Sequence, residues 1–152
     1  MAVKQKTPVT KNAVIANTIA SSVSNLKLAL EKADKAVSER SSESKKLMIE
    51  TRRLRKRRIA QMGKKKRAIA ANKKNPSVDS GKAVKAIKSE LAATDKVIVK
   101  TTAMRQAVLE ELSGLKQSQK TLSAYVKGLN AADRAAAVKN KRARRRVKSQ
   151  TM

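Results

Sequence analysis

Proline occurs at only two positions, 8 and 76, and glycine at four, 63, 81, 114 and 128. A chain with so few helix breakers is free to run in helix wherever its apolar spacing allows. Two long helix-permissive stretches result, one over about residues 8–72 and one over about 80–148. Between them lies NPSVDSG, residues 75–81, the strongest turn signal in the chain. Thr7-Pro8 reads as an N-cap followed by a proline in the first helical position. Asp79 or Ser80 caps the second stretch. The expected fold is all-α: two long helices, free to kink, paired as an extended hairpin within one unit spanning residues 1–152, with basic extensions at both ends.

The apolar spacing carries the same reading. Ile19, Val23, Leu26, Leu30, Ala33 and Val37 alternate steps of four and three, and Arg40, Ser44, Leu47, Thr51 and Leu54 continue the frame. In the second stretch the frame runs from Val84 through Ile87, Leu91, Thr94, Ile98, Thr101, Arg105, Val108, Leu112, Leu115, Gln119, Leu122 and Val126 to Leu129. A seam this narrow is the mark of helices packing on helices. It is interrupted by Arg40, Ser44, Arg105 and Gln119, which are poor core residues. Weak helix formers at 38–46 (SERSSESKK) mark a place where the first helix can bend or break. Gly63, Gly114 and Gly128 are further candidate hinges.

Little is available to fill a core. Tyr125 is the single aromatic residue, and alanine and valine dominate the 40% apolar content. Alanine favours helix but buries little surface, so much of the stability should come from a partner or from assembly. No apolar run approaches the roughly 20 residues that span a bilayer, and the N-terminal residues do not read as a signal peptide.

Charge sets the partner. Lysine and arginine number 38 against 11 acids, a formal charge of +27. Residues 52–74 hold twelve bases and no acid: Arg52, Arg53, Arg55, Lys56, Arg57, Arg58, Lys64, Lys65, Lys66, Arg67, Lys73 and Lys74. Residues 139–152 hold seven more and no acid: Lys139, Lys141, Arg142, Arg144, Arg145, Arg146 and Lys148. Lys4, Lys6 and Lys11 form a minor third group. Within the first cluster, Arg52, Lys56 and Lys64 are expected along one side of a helix with Arg53 and Arg57 beside them. Leu54, Ile59, Met62, Ala68 and Ile69 keep apolar residues among the bases, so the segment reads as a basic amphipathic helix. Charge this concentrated repels itself unless a polyanion neutralises it, and arginine and lysine both suit phosphate. Single strands are usually gripped by stacking on aromatic rings, which this chain lacks; duplex DNA, held through its backbone with little sequence preference, is the better match. Neutralising the whole charge would take on the order of a dozen base pairs.

Other chemistries find few residues. The chain has no histidine and no cysteine, which removes the usual nucleophile–base pairs, disulfides and zinc sites. The acids are dispersed; Glu110 and Glu111 are adjacent but diverge on a helix, and Gly81-Lys82 lacks the upstream glycine of a phosphate-binding loop. No enzymatic activity, metal, cofactor or small-molecule substrate is expected. A basic amphipathic segment over 47–69 could lie on anionic lipid, but it carries no Trp or Phe to enter the interface.

Small size, helical rhythm, abundant Lys and Arg and absence of Cys together resemble the major coat proteins of filamentous archaeal viruses, most closely the very basic coat proteins of tristromaviruses. The resemblance covers the whole chain and is one of composition. It implies a capsid protein that pairs with a similar coat subunit and wraps linear double-stranded DNA, held in A-form in those viruses, inside a helical nucleocapsid. The stretches 52–67 and 139–148 would then contact DNA, and the protein would reside in the virion. The scarcity of aromatics departs from related filamentous coats. A cellular nucleoid- or chromatin-compacting protein, an rRNA-binding ribosome-associated protein and a phage internal protein ejected with DNA are the competing readings, with the nucleoid or cytoplasm as location. Linker-histone-like proteins usually carry longer Pro/Ala/Lys repeats, which are absent here.

Overall fold

A computed structural model describes the backbone of residues 11–150 and the side chains of residues 11–142. It is an all-α hairpin. Helix α1 spans Lys11–Lys74 and helix α2 spans Val78–Gln150, with no strand among the described residues. The expected start of the first helix at Thr7-Pro8, together with Lys4 and Lys6, lies outside the described residues.

The reversal is tighter than the sequence suggests. Only residues 75–77 fall outside helix, so Asp79, Ser80 and Gly81 belong to the first turn of α2 instead of the connection. Pro76 lacks the amide hydrogen that would continue α1, whose ladder closes with the Asn75 amide donating to the Ala71 carbonyl at 3.0 Å. Ser77 then acts as the N-cap, a role the sequence reading gave to Asp79 or Ser80. The Ser80 amide donates to Ser77 Oγ and the Ser77 amide donates to Ser80 Oγ, each at 3.0 Å. This reciprocal pair is a capping box with serine in place of the usual glutamate. The Ser80 hydroxyl donates in turn to Asn72 Oδ1 at 2.5 Å, which ties the start of α2 to the last turns of α1.

Neither the 38–46 segment nor any glycine interrupts the helices, and no described residue has a positive φ. Inside 38–46, Arg40 pairs with Glu43 three residues on at 2.5 Å, and Ser44 turns inward and is buried. Gly114 and Gly128 sit in α-helix with open space where a Cβ would go. Glycine in a helix interior costs about 0.5–1 kcal/mol relative to alanine. Gly114→Ala and Gly128→Ala should therefore each stabilise the fold by about that amount, read as a rise in thermal midpoint by circular dichroism.

The chain divides into two compact units. One is Val37–Gly114; the other combines the described residues up to Ala36 with those from Leu115 onward. In the first, Arg40 bonds Glu111 at 2.9 Å and Arg58 bonds Asp95 at 2.5 Å, which fixes an antiparallel register. In the second, Gln119 Nε2 donates to Asp34 Oδ1 at 2.7 Å, in the same antiparallel sense.

All nine buried residues among those described lie in the Val37–Gly114 unit. Four are apolar, Leu47, Val84, Val108 and Leu112; five are polar, Ser44, Thr51, Gln61, Thr94 and Thr101. Thr51 and Thr94 satisfy their hydroxyls on the carbonyls of Leu47 and Glu90. Gln61 Oε1 and Arg105 Nε are buried without a partner, a cost of about 1–3 kcal/mol each. The core is thus one residue wide, half polar and imperfectly satisfied.

In the other unit Val23, Leu26, Leu30, Leu115, Leu122, Val126 and Leu129 are half-buried on the seam, while Val14, Ile15, Ile19 and Leu28 are exposed. Near its N-terminal end α1 contains an 18-residue window of mean hydropathy 1.2, none of it buried, which by length and composition is apolar enough to cross a membrane. The apolar run expected to be too short is therefore longer than a residue-by-residue reading indicates. Closely spaced Ala, Val, Ile and Leu raise the mean despite Asn17, Asn25 and Lys27.

Candidate nucleic-acid interface

The seam frame continues past Leu54 straight through the basic cluster. Arg58, Lys65, Ala68 and Asn72 are half-buried and Gln61 is buried, while Ile59 and Met62 are exposed. The amphipathic reading of 52–74 therefore holds with a different inner face. The residues at least half-buried after Leu54 are Arg58, Gln61, Gly63, Lys65, Ala68, Ile69 and Asn72, and Ile59 and Met62 belong to the outer surface. A frame traced by apolar residues is lost at Arg58 and Lys65. A frame traced by the three–four spacing is not.

That geometry decides which bases are available. Arg58 alone among the twelve is in an ion pair, with Asp95. Arg52, Arg53, Arg55, Lys56, Arg57, Lys64, Lys66, Arg67, Lys73 and Lys74 are all exposed, and among the described residues no carboxylate lies within salt-bridge distance of them. They do not form the single line expected of Arg52, Lys56 and Lys64. At about 100° per residue Lys64 lies about 120° around the helix from Arg52. The bases instead cover the outward arc of α1, with Arg52 and Lys66 on one flank, Arg57 and Lys64 on the other, and Lys56 between.

The hairpin sets a second group of bases, on α2, alongside this stretch of α1. In the antiparallel register, α2 from Val78 to Lys100 runs back along the cluster. It contributes Lys82, Lys85, Lys88, Lys96 and Lys100, all exposed, against Asp79, Glu90 and Asp95. The sequence reading missed these five lysines because acids intervene between them. The signal that finds them is position opposite the α1 cluster once the turn is placed.

The remaining site residues belong to the other unit. Lys139, Lys141 and Arg142 are exposed on α2. The side chains of Arg144, Arg145, Arg146 and Lys148 lie outside those described. Tyr125, the single aromatic residue, is exposed in that same unit.

At the other end of the Val37–Gly114 unit, Glu39, Glu43 and Glu50 lie on α1 and Glu110 and Glu111 on α2. Arg40 lies between Glu43 and Glu111. Its hydrogen bond to Glu43, with the charges of Glu111 and Glu43, holds the guanidinium pKa above its ordinary value. Glu110 accepts from Gln106 Nε2 at 3.2 Å, so the adjacent glutamates face different partners. Among the described residues no group of His, Cys, Asp or Glu is placed to hold a metal ion.

No family model matches the chain, and no curated protein and no solved structure is similar to it.

Proposed function

We propose that the chain is a structural DNA-packaging protein, a viral coat or nucleocapsid subunit that covers double-stranded DNA through sequence-independent phosphate contacts in a helical assembly with further coat subunits. The observation that carries the nucleic-acid part is the turn-proximal surface. Ten exposed bases on α1 and five lysines on α2 lie along the same stretch of the two helices, and among the described residues Arg58 is the only base of the 52–74 cluster that a carboxylate neutralises. A protein spends helix stability on such a surface, because like charges three and four residues apart repel. Phosphate turns that repulsion into binding by releasing counterions from the polyanion.

The absence of rings at the cluster favours duplex over single strands. Helix surfaces bearing arginine and lysine follow a backbone without reading bases. The coat-protein part rests on the composition shared with filamentous archaeal virus coats and on a core too thin for a self-sufficient globule.

Titration with duplex DNA across ionic strength tests the mechanism. Affinity should fall by at least about a thousandfold between about 50 and 200 mM salt and vary little with sequence. A flat salt response would remove counterion release as the driving force. Preference for folded rRNA over duplex would favour a ribosomal role, and filaments on long duplex by electron microscopy would support the coat reading.

A further inference from the structure

The unit made of the described residues up to Ala36 and those from Leu115 onward has two unlike flanks. By helical spacing from the seam, one flank shows Lys27, Glu31 and Asp34 on α1 and Lys116, Lys120, Lys127 and Arg134 on α2, all exposed. The other flank shows Thr18, Ser22 and Ala29 on α1 and Thr121, Tyr125, Gly128 and Ala132 on α2, none of them charged. The nearest charges are Lys32 and Lys139, at its margins. The hydroxyls of this neutral flank are already satisfied. Thr18 donates to the Val14 carbonyl and Ser22 to the Thr18 carbonyl, each at 2.9 Å, and Thr121 donates to the Gln117 carbonyl at 3.1 Å. A partner can therefore exclude water from them without orphaning a donor. Tyr125, the chain's one ring, stands on this flank 59% exposed. Gly128 has open space where a Cβ would go, so nothing within the chain uses the missing side chain, although glycine weakens the helix.

We propose that this neutral flank is where a second copy of the chain docks, the same flank of each copy meeting the other about a two-fold axis. Charge selects the occupant. A chain of +27 repels its own copy. On the opposite flank, like would meet like through Lys116, Lys120, Lys127 and Arg134; on the neutral flank no such apposition opposes contact. An acidic partner would be drawn to the bases instead, and a lipid surface needs a broad apolar face with a charged one behind it. The shared stretch is about 18 residues long on each of two helices, about 27 Å by 20 Å. Over both copies that is about 1,100 Å², which reaches the lower bound for a specific interface. Tyr125 supplies an anchor, and Gly128 lets the partner's helices come close. A patch that meets itself closes as a dimer and leaves the basic flank of each copy outward. The dimer's role in packaging rests on the coat reading, which it deepens by naming a surface that joins one pair of subunits.

Sedimentation equilibrium of the free chain in about 0.5 M sodium sulfate, which screens charge and favours burial, tests the pairing without DNA. The wild type should form dimers at up to about 0.1 mM, within reach of an interface of this size. Gly128→Leu and Tyr125→Ala should each weaken pairing by about tenfold or more, the scale of blocking or removing an anchor. Gly128→Leu should at the same time raise the helix content of the free chain by circular dichroism, since leucine is the better helix former. Loss of pairing with gain of helix separates a docking face from a folding defect. Lys127→Leu, one residue away on the other flank, should pair as the wild type does. A wild type that stays monomeric, or either flank variant pairing as well as the wild type, would overturn the inference. Affinity for a duplex of about a dozen base pairs, with room for one chain, is measured separately. Gly128→Leu should bind it within about threefold of the wild type. A wild type that pairs but ignores this duplex would sink the packaging reading and leave the dimer standing.

Discussion

A chain in which Arg52, Arg53, Lys56 and Arg57 are all replaced by Gln should bind duplex DNA about a thousandfold more weakly than the wild type at about 0.15 M salt. The figure follows from counterion release. Each phosphate contact contributes about 0.9 to the slope of log affinity against log salt, which at that ionic strength is about fivefold in affinity. Four contacts give about three decades, and the salt slope falls by about 3.6. All four residues are exposed and unpaired, and Gln is nearly as good a helix former as Arg and Lys. The helix therefore survives. It should become slightly more stable, because the repulsive pairs Arg52–Lys56 and Arg53–Arg57, each four residues apart, are relieved. Opposite signs for affinity and stability are the diagnostic: a residue that served the fold would lower both. Arg58→Gln provides the contrast. Its guanidinium already faces Asp95 from a half-buried seam position, and its loss should change affinity by well under one phosphate contact. Fluorescence titration of labelled duplex over several salt concentrations measures both numbers.

The seam explains how much of this was legible in the sequence. Every α2 position of the frame from Val84 to Leu129 is buried or half-buried, including Arg105 and Gln119, which composition alone would place outside. On α1 the frame holds from Val23 to Leu54, while Ile19, at its start, is exposed. Spacing survives where chemistry wavers, because a two-helix contact is set by which residues recur on one stripe. Reading apolar residues instead of spacing fails at the basic cluster. There Ile59 and Met62 draw attention as core, yet they lie off the stripe, and Arg58, Gln61 and Lys65 lie on it. The turn fails for another reason. Asp79, Ser80 and Gly81 all look like loop or cap residues, but the Ser77–Ser80 hydrogen bonds cap the helix two or three residues earlier. The α2 lysines are invisible until the antiparallel register sets them beside 52–74.

Leu112→Ala should melt most of the free chain's helix at room temperature, and duplex DNA should restore it. Leu112 is 7% exposed and one of four buried apolar residues among those described. Truncating a buried leucine costs about 2–5 kcal/mol, toward the low end where neighbours can relax into the gap, as they can on so narrow a stripe. A core of four apolar residues beside Ser44, Thr51, Gln61, Thr94 and Thr101 has little stability to lose, and the unpartnered Gln61 Oε1 and Arg105 Nε reduce it further. The wild type itself should be incompletely helical in dilute salt and gain helix on binding. Duplex reverses the defect through linkage, since a ligand held only by the folded chain at about a hundred times its dissociation constant adds about 2.7 kcal/mol, close to the loss. Far-UV circular dichroism of the variant with and without duplex reads the effect directly. Ile59→Ala, on the exposed side of the same helices, should leave the free chain's helix unchanged. If Leu112→Ala were as helical as the wild type without DNA, the stripe would not be what limits folding. If it stayed unfolded with saturating duplex, the bases would bind without requiring the hairpin, and their placement around α1 would not matter to the DNA.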